Sequence, residues 1–331
     1  MSGGPSQAFI PPVRLDNADV WQAVLPRLEE LVRSGQFILG TAVQEFETEA
    51  ARSFGCPWAV GTSSGTSALV LALRAAPLPP GARVALPANT FYAAFEAVVM
   101  AGHIPVITDH DEDYLINPEM VEPLDVDAVM AVHLYGLPVH MAPLMELAED
   151  RGWWVLEDAS QAHGATAAGR PVGSLGHAAA FSAYPTKNLG AWGDAGFVTG
   201  ADADVACRIR SLRHHAQGTA NVHDAVGGTE RLDSIQALVL TEKLRRLPDE
   251  VRARRAVAGW YREALADLGL DLPGDRGDRA HAYHQFVIRV PERDAVRVRM
   301  AELGVGTGIH YPTPIHLQRG ARERCEVPAT P

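Results

Sequence analysis

The fold is decided by one stretch of the chain, Ala178-Ala-Ala-Phe-Ser-Ala-Tyr-Pro-Thr-Lys187-Asn-Leu-Gly-Ala-Trp-Gly-Asp-Ala-Gly196-Phe-Val-Thr-Gly200. An apolar, β-prone run at its start leads into a turn of small residues that presents a single amine, Lys187. A second glycine-rich turn then leads into another apolar run. The pattern predicts two buried strands, residues 178–182 and 196–200, with the lysine in the connection between them.

Outward from this stretch, short apolar runs alternate with helical patterns. The further candidate strands are residues 58–61, 83–86, 105–108, 128–133 and 153–157. The candidate helices between them are residues 67–75, 91–101, 141–151 and 203–212. Continuous apolar strands that alternate with helices are typical of a mostly parallel sheet covered on both faces. We therefore predict an α/β fold with a three-layer αβα large domain.

The chain is predicted to divide into three parts. Residues 1–24 contain several prolines and are predicted to form an irregular arm, and the large domain is placed at residues 25–245. An apolar helical stripe at the end of this domain stops at Pro248, which can start a second helix. A strand candidate at residues 285–290 then indicates a short C-terminal α/β domain over residues 246–331.

The composition is that of a globular protein, with 331 residues, 47% apolar residues and a formal net charge of −11. The acidic balance argues against nucleic acid as a partner, and no apolar run reaches the length of a membrane span. The N-terminus lacks a signal-peptide pattern, so we expect a cytoplasmic protein. The three cysteines are scattered and not at metal-ligand spacing, so we expect reduced thiols and no metal site.

Two ionisable residues near the predicted strands suggest the chemistry. Most lysines are solvated surface charges, but Lys187 follows Ser182 by five positions in a small-residue turn. A lysine placed in this way can hold an aldehyde cofactor as a Schiff base while the turn donates hydrogen bonds to a phosphate. Asp158 falls at the carboxyl end of an apolar strand, where it can keep a pyridine nitrogen protonated. The alternative for Asp158 is an acidic cap on the following turn.

Two loops add further candidates. The loop Gly61-Thr-Ser-Ser-Gly-Thr66 opens a predicted helix. Free backbone N–H groups and the helix dipole make such a turn an anion site, to which the hydroxyls of Ser64 and Thr66 add donors. A serine-rich helix cap explains the same loop equally well. Phe91 can stack on a flat ring, although core packing is the commoner role of a phenylalanine.

Motifs of one kind run through nearly the whole chain. They are Ser64-Gly-Thr-Ser-Ala-Leu69, Pro87-Ala-Asn-Thr-Phe91, Val132-His-Leu-Tyr-Gly136, Glu157-Asp-Ala-Ser-Gln-Ala-His-Gly164, Gly169-Arg-Pro-Val-Gly-Ser-Leu-Gly176, Phe181-Ser-Ala-Tyr-Pro-Thr-Lys187-Asn-Leu-Gly190, Arg231-Leu-Asp-Ser-Ile-Gln-Ala237 and Ile309-His-Tyr-Pro-Thr-Pro-Ile-His316. Together they resemble the DegT/StrS sugar aminotransferase family of fold-type I pyridoxal-phosphate enzymes. The resemblance implies that fold, with a smaller C-terminal domain, and pyridoxal 5'-phosphate as the cofactor.

The resemblance also implies a role for each matching position. Lys187 would bind the cofactor and shuttle protons, Asp158 would pair with the pyridine nitrogen, and Gln161 with the ring hydroxyl. The cofactor-binding set is Ser64, Gly65, Thr66, Phe91, Asp158, Gln161, Ser182, Lys187 and Thr229. The substrate-binding set is His310, Tyr311 and His316, for which packing or solvent exposure is the alternative.

One departure concerns assembly. The family usually has an asparagine two residues before the Arg-Leu-Asp motif, where it reaches the phosphate of the neighbouring subunit. This position is Thr229 here, which keeps a hydroxyl but is shorter. The resemblance implies a homodimer with active sites at its interface, and Thr229 leaves that contact open.

The implied activity is transfer of an amino group from glutamate or glutamine to a keto-sugar, expected to be nucleotide-linked, in amino-sugar, antibiotic or glycan biosynthesis. Amination at C3 is favoured slightly over C4. The alternatives are a keto-cyclitol aminotransferase, another pyridoxal-phosphate reaction on the same fold, and a non-catalytic regulator that binds the cofactor. The intact pair of Asp158 and Lys187 argues against the regulator. A nicotinamide-dependent oxidoreductase is disfavoured because no Gly-x-Gly-x-x-Gly turn follows the first strand.

Overall fold

The computed structural model of the chain describes residue 15, residues 17–219 and residues 221–328. Its strands are β1 (Trp58–Thr62), β2 (Arg83–Pro87), β3 (Ile104–Thr108), β4 (Ala128–Val132), β5 (Trp154–Asp158), β6 (Thr166–Ala167), β7 (Arg170–Pro171), β8 (Ala178–Ser182), β9 (Gly196–Gly200), β10 (Gln217–Thr219), β11 (Val222–His223) and β12 (Arg279–Ala280). A seven-stranded sheet has the order β1-β9-β8-β5-β4-β2-β3, and β10-β11 and β12-β6-β7 form two small sheets beside it.

The seven-stranded sheet is parallel except for one strand. β2 pairs in parallel with β3 and β4, and the parallel array continues through β5 to β8. β9 is antiparallel to both of its neighbours, β8 and β1, so β1 runs in the same direction as β8. The strands are buried along nearly their whole length. Their continuous apolar sequences follow from this burial on both faces.

The helices are α1 (Ala18–Ser34), α2 (Thr41–Ser53), α3 (Gly65–Ala75), α4 (Ala93–Met100), α5 (Pro118–Val121), α6 (Met141–Arg151), α7 (Ala203–Leu212), α8 (Ser234–Leu265) and α9 (Arg293–Glu302). Short 3-10 helices lie at Leu134–Gly136, Ala266–Leu268 and Ile315–Leu317. α3 packs against α4, α7, β8 and β9, whereas α2 packs against β1 and α8. Among the helices described, none combines the length and the apolar composition needed to cross a membrane.

The strands predicted from the apolar runs are confirmed, from residues 58–61 to 196–200, and all seven lie in the large sheet. The four helices predicted between them are also present as α3, α4, α6 and α7. The α/β architecture with a mostly parallel sheet is therefore correct. It follows from local sequence because each strand is an uninterrupted apolar run bounded by polar or glycine-containing turns.

Two predictions about helices were wrong. Residues 18–24, expected in the irregular arm, belong to α1, where Val24 is buried; most of the remaining arm lies outside the described residues. Pro248 does not start a new helix, because α8 is a single helix of 32 residues that runs through it. Leu247 and Val251 are buried on either side of the proline. This packing offsets the backbone hydrogen bond that proline cannot make.

The strand predicted at residues 285–290 is absent. A strand needs a partner, and no segment described after residue 290 pairs with this one. The strand found nearby is β12, which pairs with β6 and so joins the C-terminal region to the large domain. The boundary proposed at residue 245 falls inside α8 and stays a prediction.

Three segments that carry predicted site residues end at one edge of the large sheet. Asp158 and Ser182 are the last residues of the neighbouring parallel strands β5 and β8. Gly196 lies opposite both Ser182 and Thr62, the last residue of β1. Because the carboxyl ends of parallel strands share an edge, the start of α3, Asp158 and the turn after β8 lie together.

Candidate active site

The first turn of α3 forms a cluster of donors against the end of β8. Ser64 caps the helix, and its Oγ accepts a hydrogen bond from the Ser67 N–H at 3.0 Å. Gly65 lies so close to Ser182 that an added Cβ would be 2.4 Å from the Ser182 Cβ. The N–H groups of Gly65 and Thr66 have no acceptor within the described part of the chain. Helix capping therefore leaves two N–H groups of this turn free, and free N–H groups at a helix start suit a phosphate.

Lys187 lies in the turn that follows β8, where its backbone N–H donates to the Tyr184 carbonyl at 2.9 Å. Its side-chain nitrogen has no hydrogen-bond or ion-pair partner in the described residues. Burial lowers the pKa of Lys187 to about 8, although the charge of Asp158 opposes this shift. An amine with this pKa is partly uncharged near neutral pH, so it can act as a nucleophile and as a base.

Asp158 lies at the end of β5 and is 6% exposed. One carboxylate oxygen, Oδ1, accepts a hydrogen bond from the Ser160 N–H at 3.1 Å, as the capping alternative requires. The other oxygen makes no hydrogen bond in the described residues. Asp158 therefore caps the turn and still offers one free acceptor at the sheet edge.

A buried carboxylate, hydrogen-bonded to a histidine and to backbone N–H groups, fixes the strand that carries Asp158. The carboxylate of Glu157 accepts hydrogen bonds from three backbone N–H groups in residues 173–176, at 2.8 to 3.0 Å, and from His133 Nε2 at 3.0 Å. His133 Nδ1 accepts from the Val139 N–H, so Nε2 carries the proton. Burial alone raises the pKa of Glu157, but the His133 contact and the N–H groups outweigh it and lower the pKa.

Tyr135 connects the site to the C-terminal segment. Its N–H donates to Gln161 Oε1 at 2.6 Å, and its hydroxyl donates to the His310 carbonyl. The Gln161 Nε2 donates to the Tyr311 hydroxyl at 3.2 Å. Burial raises the pKa of Tyr135 to about 12, so the hydroxyl stays protonated. The sequence analysis quoted the motif of Tyr135 but gave this residue no role.

The predicted substrate-binding residues His310, Tyr311 and His316 lie near the same edge of the large sheet, with Phe91 beside Tyr311. Phe91 is 57% exposed, which rules out the core-packing alternative, and its ring centroid is 5.9 Å from that of Tyr311. The segment that carries His316 is fixed by the Ile315 N–H, which donates to the Ala88 carbonyl at 2.9 Å. The Nδ1 atom of His316 is buried and has no partner in the described chain. The structure thus brings Phe91, Gln161 and Tyr311 together, with His310 beside them.

Two further histidines near the lysine were missed by the sequence analysis. Burial, together with the charges of Lys187 and Arg254, lowers the pKa of His163 to about 3. The same influences hold the pKa of His284 well below its ordinary value. Both ring nitrogens of His163 and the Nδ1 of His284 lack a partner among the residues described. Both imidazoles are therefore neutral. A signal existed for His163, which lies in the motif of Asp158.

Thr229 does not join the other predicted cofactor residues within this chain. It is exposed on the loop before α8, and its Oγ1 is 3.1 Å from His215 Nε2. Its side chain makes no hydrogen bond to Ser182 or to residues 64–66. Its predicted role in holding a phosphate stays a prediction.

The residues that do meet fit an aromatic aldehyde that carries a phosphate. The free N–H groups at the start of α3 and the hydroxyl of Ser182 suit the phosphate. The unpartnered amine of Lys187 and the free carboxylate oxygen of Asp158 lie at one sheet edge. The amine can react with an aldehyde, and the oxygen can accept a hydrogen bond from a ring nitrogen. The exposed ring of Phe91 offers a flat surface.

A model of the DegT/DnrJ/EryC1/StrS aminotransferase family matches residues 20–331. The chain belongs to this family. It is 39% identical over 311 residues to the UDP-N-acetyl-3-dehydro-alpha-D-glucosamine 3-aminotransferase of Acidithiobacillus ferrooxidans, with 93% of this chain and 84% of that protein covered. It is 40% identical over 315 residues to the dTDP-3-amino-3,4,6-trideoxy-alpha-D-glucose transaminase of Micromonospora megalomicea, covering 92% and 83% of the two chains.

Solved structures of this family have the same fold. S. venezuelae DesV, in complex with a ketimine intermediate, superposes with a TM-score of 0.90 at 37% identity, covering 96% of this chain and 88% of that one. The structure of ntda from Bacillus subtilis, with a TM-score of 0.88 at 27% identity and covering 94% of this chain and 74% of that one, contains the bound cofactor PMP. The protein is therefore a pyridoxal-phosphate-dependent aminotransferase, and the cofactor expected from its motifs is correct.

Proposed function

We propose that this DegT/DnrJ/EryC1/StrS aminotransferase transfers an amino group from glutamate or glutamine to a nucleotide-linked keto-sugar, at C3. The observation that carries the chemistry is the unpartnered amine of Lys187, with a pKa of about 8, at the sheet edge where Asp158 offers a free carboxylate oxygen. A solvated surface lysine would show neither the burial nor the lowered pKa.

Each residue of the site has a separate task in this proposal. Pyridoxal phosphate, when bound, supplies a carbonyl that carries the amino group and a ring that withdraws electrons. Lys187 would bind that carbonyl and move a proton at its Nζ, which its lowered pKa permits. Asp158 would keep the ring nitrogen protonated through its free oxygen. The first turn of α3 and Ser182 would hold the phosphate, and Phe91 would cover the ring.

The substrate side is assigned to the segment that ends at His316. Burial and the charge of Lys187 lower the pKa of His310, so its imidazole is neutral and can accept or donate hydrogen bonds. Burial raises the pKa of Tyr311, which stays a phenol. Neutral groups of this kind suit the hydroxyl groups and the carbonyl of a sugar. The names of both curated relatives place the amino group at C3, which supports C3 over C4.

The amino acceptor is identified by a half-reaction. The protein is loaded with pyridoxamine phosphate and mixed with keto-sugar nucleotides that carry the carbonyl at C3 or at C4, and with keto-cyclitols. We expect the absorbance of pyridoxal phosphate to return with the C3 keto-sugar. Return only with a cyclitol would establish the alternative substrate, and no return with any acceptor would favour a regulator. Lys187→Ala serves as the inactive control.

We further propose a cytoplasmic homodimer whose partner loop completes each site. The side chain of Thr229 is exposed and makes no hydrogen bond to Ser182 or to residues 64–66 of its own chain, so a role there needs a second chain. The asparagine of relatives is absent at this position, and one neutral hydrogen bond is worth about 1 kcal/mol. Thr229→Asn should therefore lower the cofactor Kd about fivefold. A fully active monomer in sedimentation would refute the shared site.

A further inference from the structure

Three serine hydroxyls at the start of α3 form one hydrogen-bonded group. Ser63 Oγ and Ser67 Oγ are 2.9 Å apart, and Ser64 Oγ donates to Ser67 Oγ at 3.1 Å. These serines belong to the same turn as the free N–H groups of Gly65 and Thr66. The turn therefore has more donors than helix capping requires. The direction of those hydroxyls determines how much of this turn is available to a phosphate.

The hydroxyls converge on a carboxylate from a distant part of the chain, Glu230. Ser63 Oγ donates to Glu230 Oε2 at 2.8 Å, and Ser67 Oγ donates to the same oxygen. The Ser63 N–H also donates to the Glu230 carbonyl at 3.0 Å. Glu230 is half-buried, and no lysine or arginine of the described chain forms an ion pair with it. Its neighbour Arg231 bonds instead to His214 Nδ1 at 2.9 Å.

A carboxylate without an ion-pair partner in the described chain is thus fixed against the first turn of the helix. The positive end of a helix dipole stabilises one anion there. The same field and the same turn would hold the cofactor phosphate, which carries nearly two negative charges near neutral pH. Two anions held at one turn repel each other.

We propose that Glu230 is an internal anion that weakens phosphate binding at the start of α3 and so sets the affinity of the protein for its cofactor. The inference rests on the proposed placement of the phosphate at Gly65 and Thr66. Glu230 occupies two serine hydroxyls and opposes the phosphate charge. The protein therefore releases pyridoxal phosphate more readily than it would with an uncharged residue at position 230. Loading with cofactor then depends on the cellular concentration of pyridoxal phosphate.

The test measures equilibrium binding and needs no turnover. Cofactor-free protein is titrated with pyridoxal phosphate and, separately, with pyridoxal, which reacts with Lys187 but has no phosphate. Glu230→Gln removes the charge and keeps hydrogen-bonding groups for Ser63 and Ser67. We expect the Kd for pyridoxal phosphate to fall about five- to tenfold in Glu230→Gln, while the Kd for pyridoxal stays within about twofold of wild type.

Two further variants separate charge from structure. Glu230→Asp keeps the charge but is shorter, so it should stay close to wild type for both ligands. Asp224→Asn removes one charge from the same loop, at an exposed position whose side chain makes no hydrogen bond or ion pair with α3, and should leave both Kd values unchanged. Thermal unfolding of each variant shows that the fold is kept.

Several outcomes would overturn the inference. They are an unchanged or higher Kd for pyridoxal phosphate in Glu230→Gln, an equal change for both ligands, or the same tightening in Glu230→Asp. Equal affinity of the wild-type protein for pyridoxal phosphate and pyridoxal would remove the phosphate site itself, and the inference with it. The identity of the keto-sugar does not enter these measurements, so a wrong acceptor would leave the result intact.

Discussion

Gly65→Ala is the sharpest test of the phosphate site. The added Cβ would lie 2.4 Å from the Ser182 Cβ and 2.9 Å from its Cα and Oγ, whereas ordinary contact begins at 3.4 Å. Neither side can yield freely, because Gly65 starts α3 and Ser182 ends β8. The helix turn and the strand must separate by about 1 Å. This moves the Ser182 hydroxyl away from the N–H groups of Gly65 and Thr66.

The loss should appear in cofactor affinity. A hydrogen bond to a charged group is worth about 1.5–3 kcal/mol, so losing one of them raises the Kd for pyridoxal phosphate roughly 10- to 100-fold. The Kd for pyridoxal should change less than about threefold, because that ligand has no phosphate. Overpacking also costs about 1–3 kcal/mol of folding free energy, so the unfolding temperature falls modestly. Absorbance titration of cofactor-free protein measures both Kd values.

Gly259→Ala is the matched control. Gly259 lies in α8, and nothing is within 4 Å of a Cβ added there. Alanine in a helix interior stabilises by about 0.5–1 kcal/mol relative to glycine, so this variant should unfold slightly later and keep the wild-type Kd. The reasoning is refuted if Gly65→Ala binds pyridoxal phosphate with the wild-type Kd. It is also refuted if both ligands weaken equally, since the phosphate would then not be held between Gly65 and Ser182.

Three further predictions follow from the buried charges. The rate at which cofactor-free protein captures pyridoxal phosphate should rise about tenfold per pH unit and level off near pH 8, because Lys187 must lose its proton; a flat profile in stopped-flow absorbance would contradict this. Asp158→Asn should keep cofactor but slow the single-turnover half-reaction at least about tenfold, and an unchanged rate removes Asp158 from catalysis. Glu157→Gln should cost about 3 kcal/mol of stability, because it weakens the hydrogen bonds that the carboxylate accepts and places an amide donor among backbone N–H groups. The pKa of Glu157 is lowered in the folded protein, so this stability is present above the ordinary glutamate pKa and is lost as the pH falls; calorimetry should show the difference from wild type shrinking in acid.

The central sheet could be predicted from sequence because its strands are short, buried and uninterrupted. The positions of Lys187 and Asp158 at one edge followed, since each comes at the end of such a strand. Pro248 misled the prediction because its local preference is overruled by long-range packing. Leu247 and Val251 are buried against other elements, and sequence does not reveal such contacts.

The connections across the site could not be predicted for a different reason. The hydroxyl of Tyr135 reaches a carbonyl 175 residues away, and Glu230 bonds to Ser67, which is 163 residues distant. Neither pairing leaves a periodic pattern in the sequence, because each depends on loops that meet only after the sheet has formed. Motif spacing identified the loops, but it did not show which atoms meet.

The residues that carry the chemistry and the residues predicted to select the acceptor are held in place by different parts of the structure. Asp158 ends strand β5 of the central sheet, and Lys187 lies in the turn between β8 and β9. The segment from His310 to His316 is held instead through its backbone, by the hydroxyl of Tyr135 at one end and by the Ala88 carbonyl near the other. Apart from Tyr311, whose hydroxyl accepts a hydrogen bond from Gln161, side chains in a segment held by its backbone can change while its position is kept. Acceptor choice can therefore vary without disturbing the lysine, so variants of this segment should alter the response to the acceptor panel while leaving cofactor capture intact.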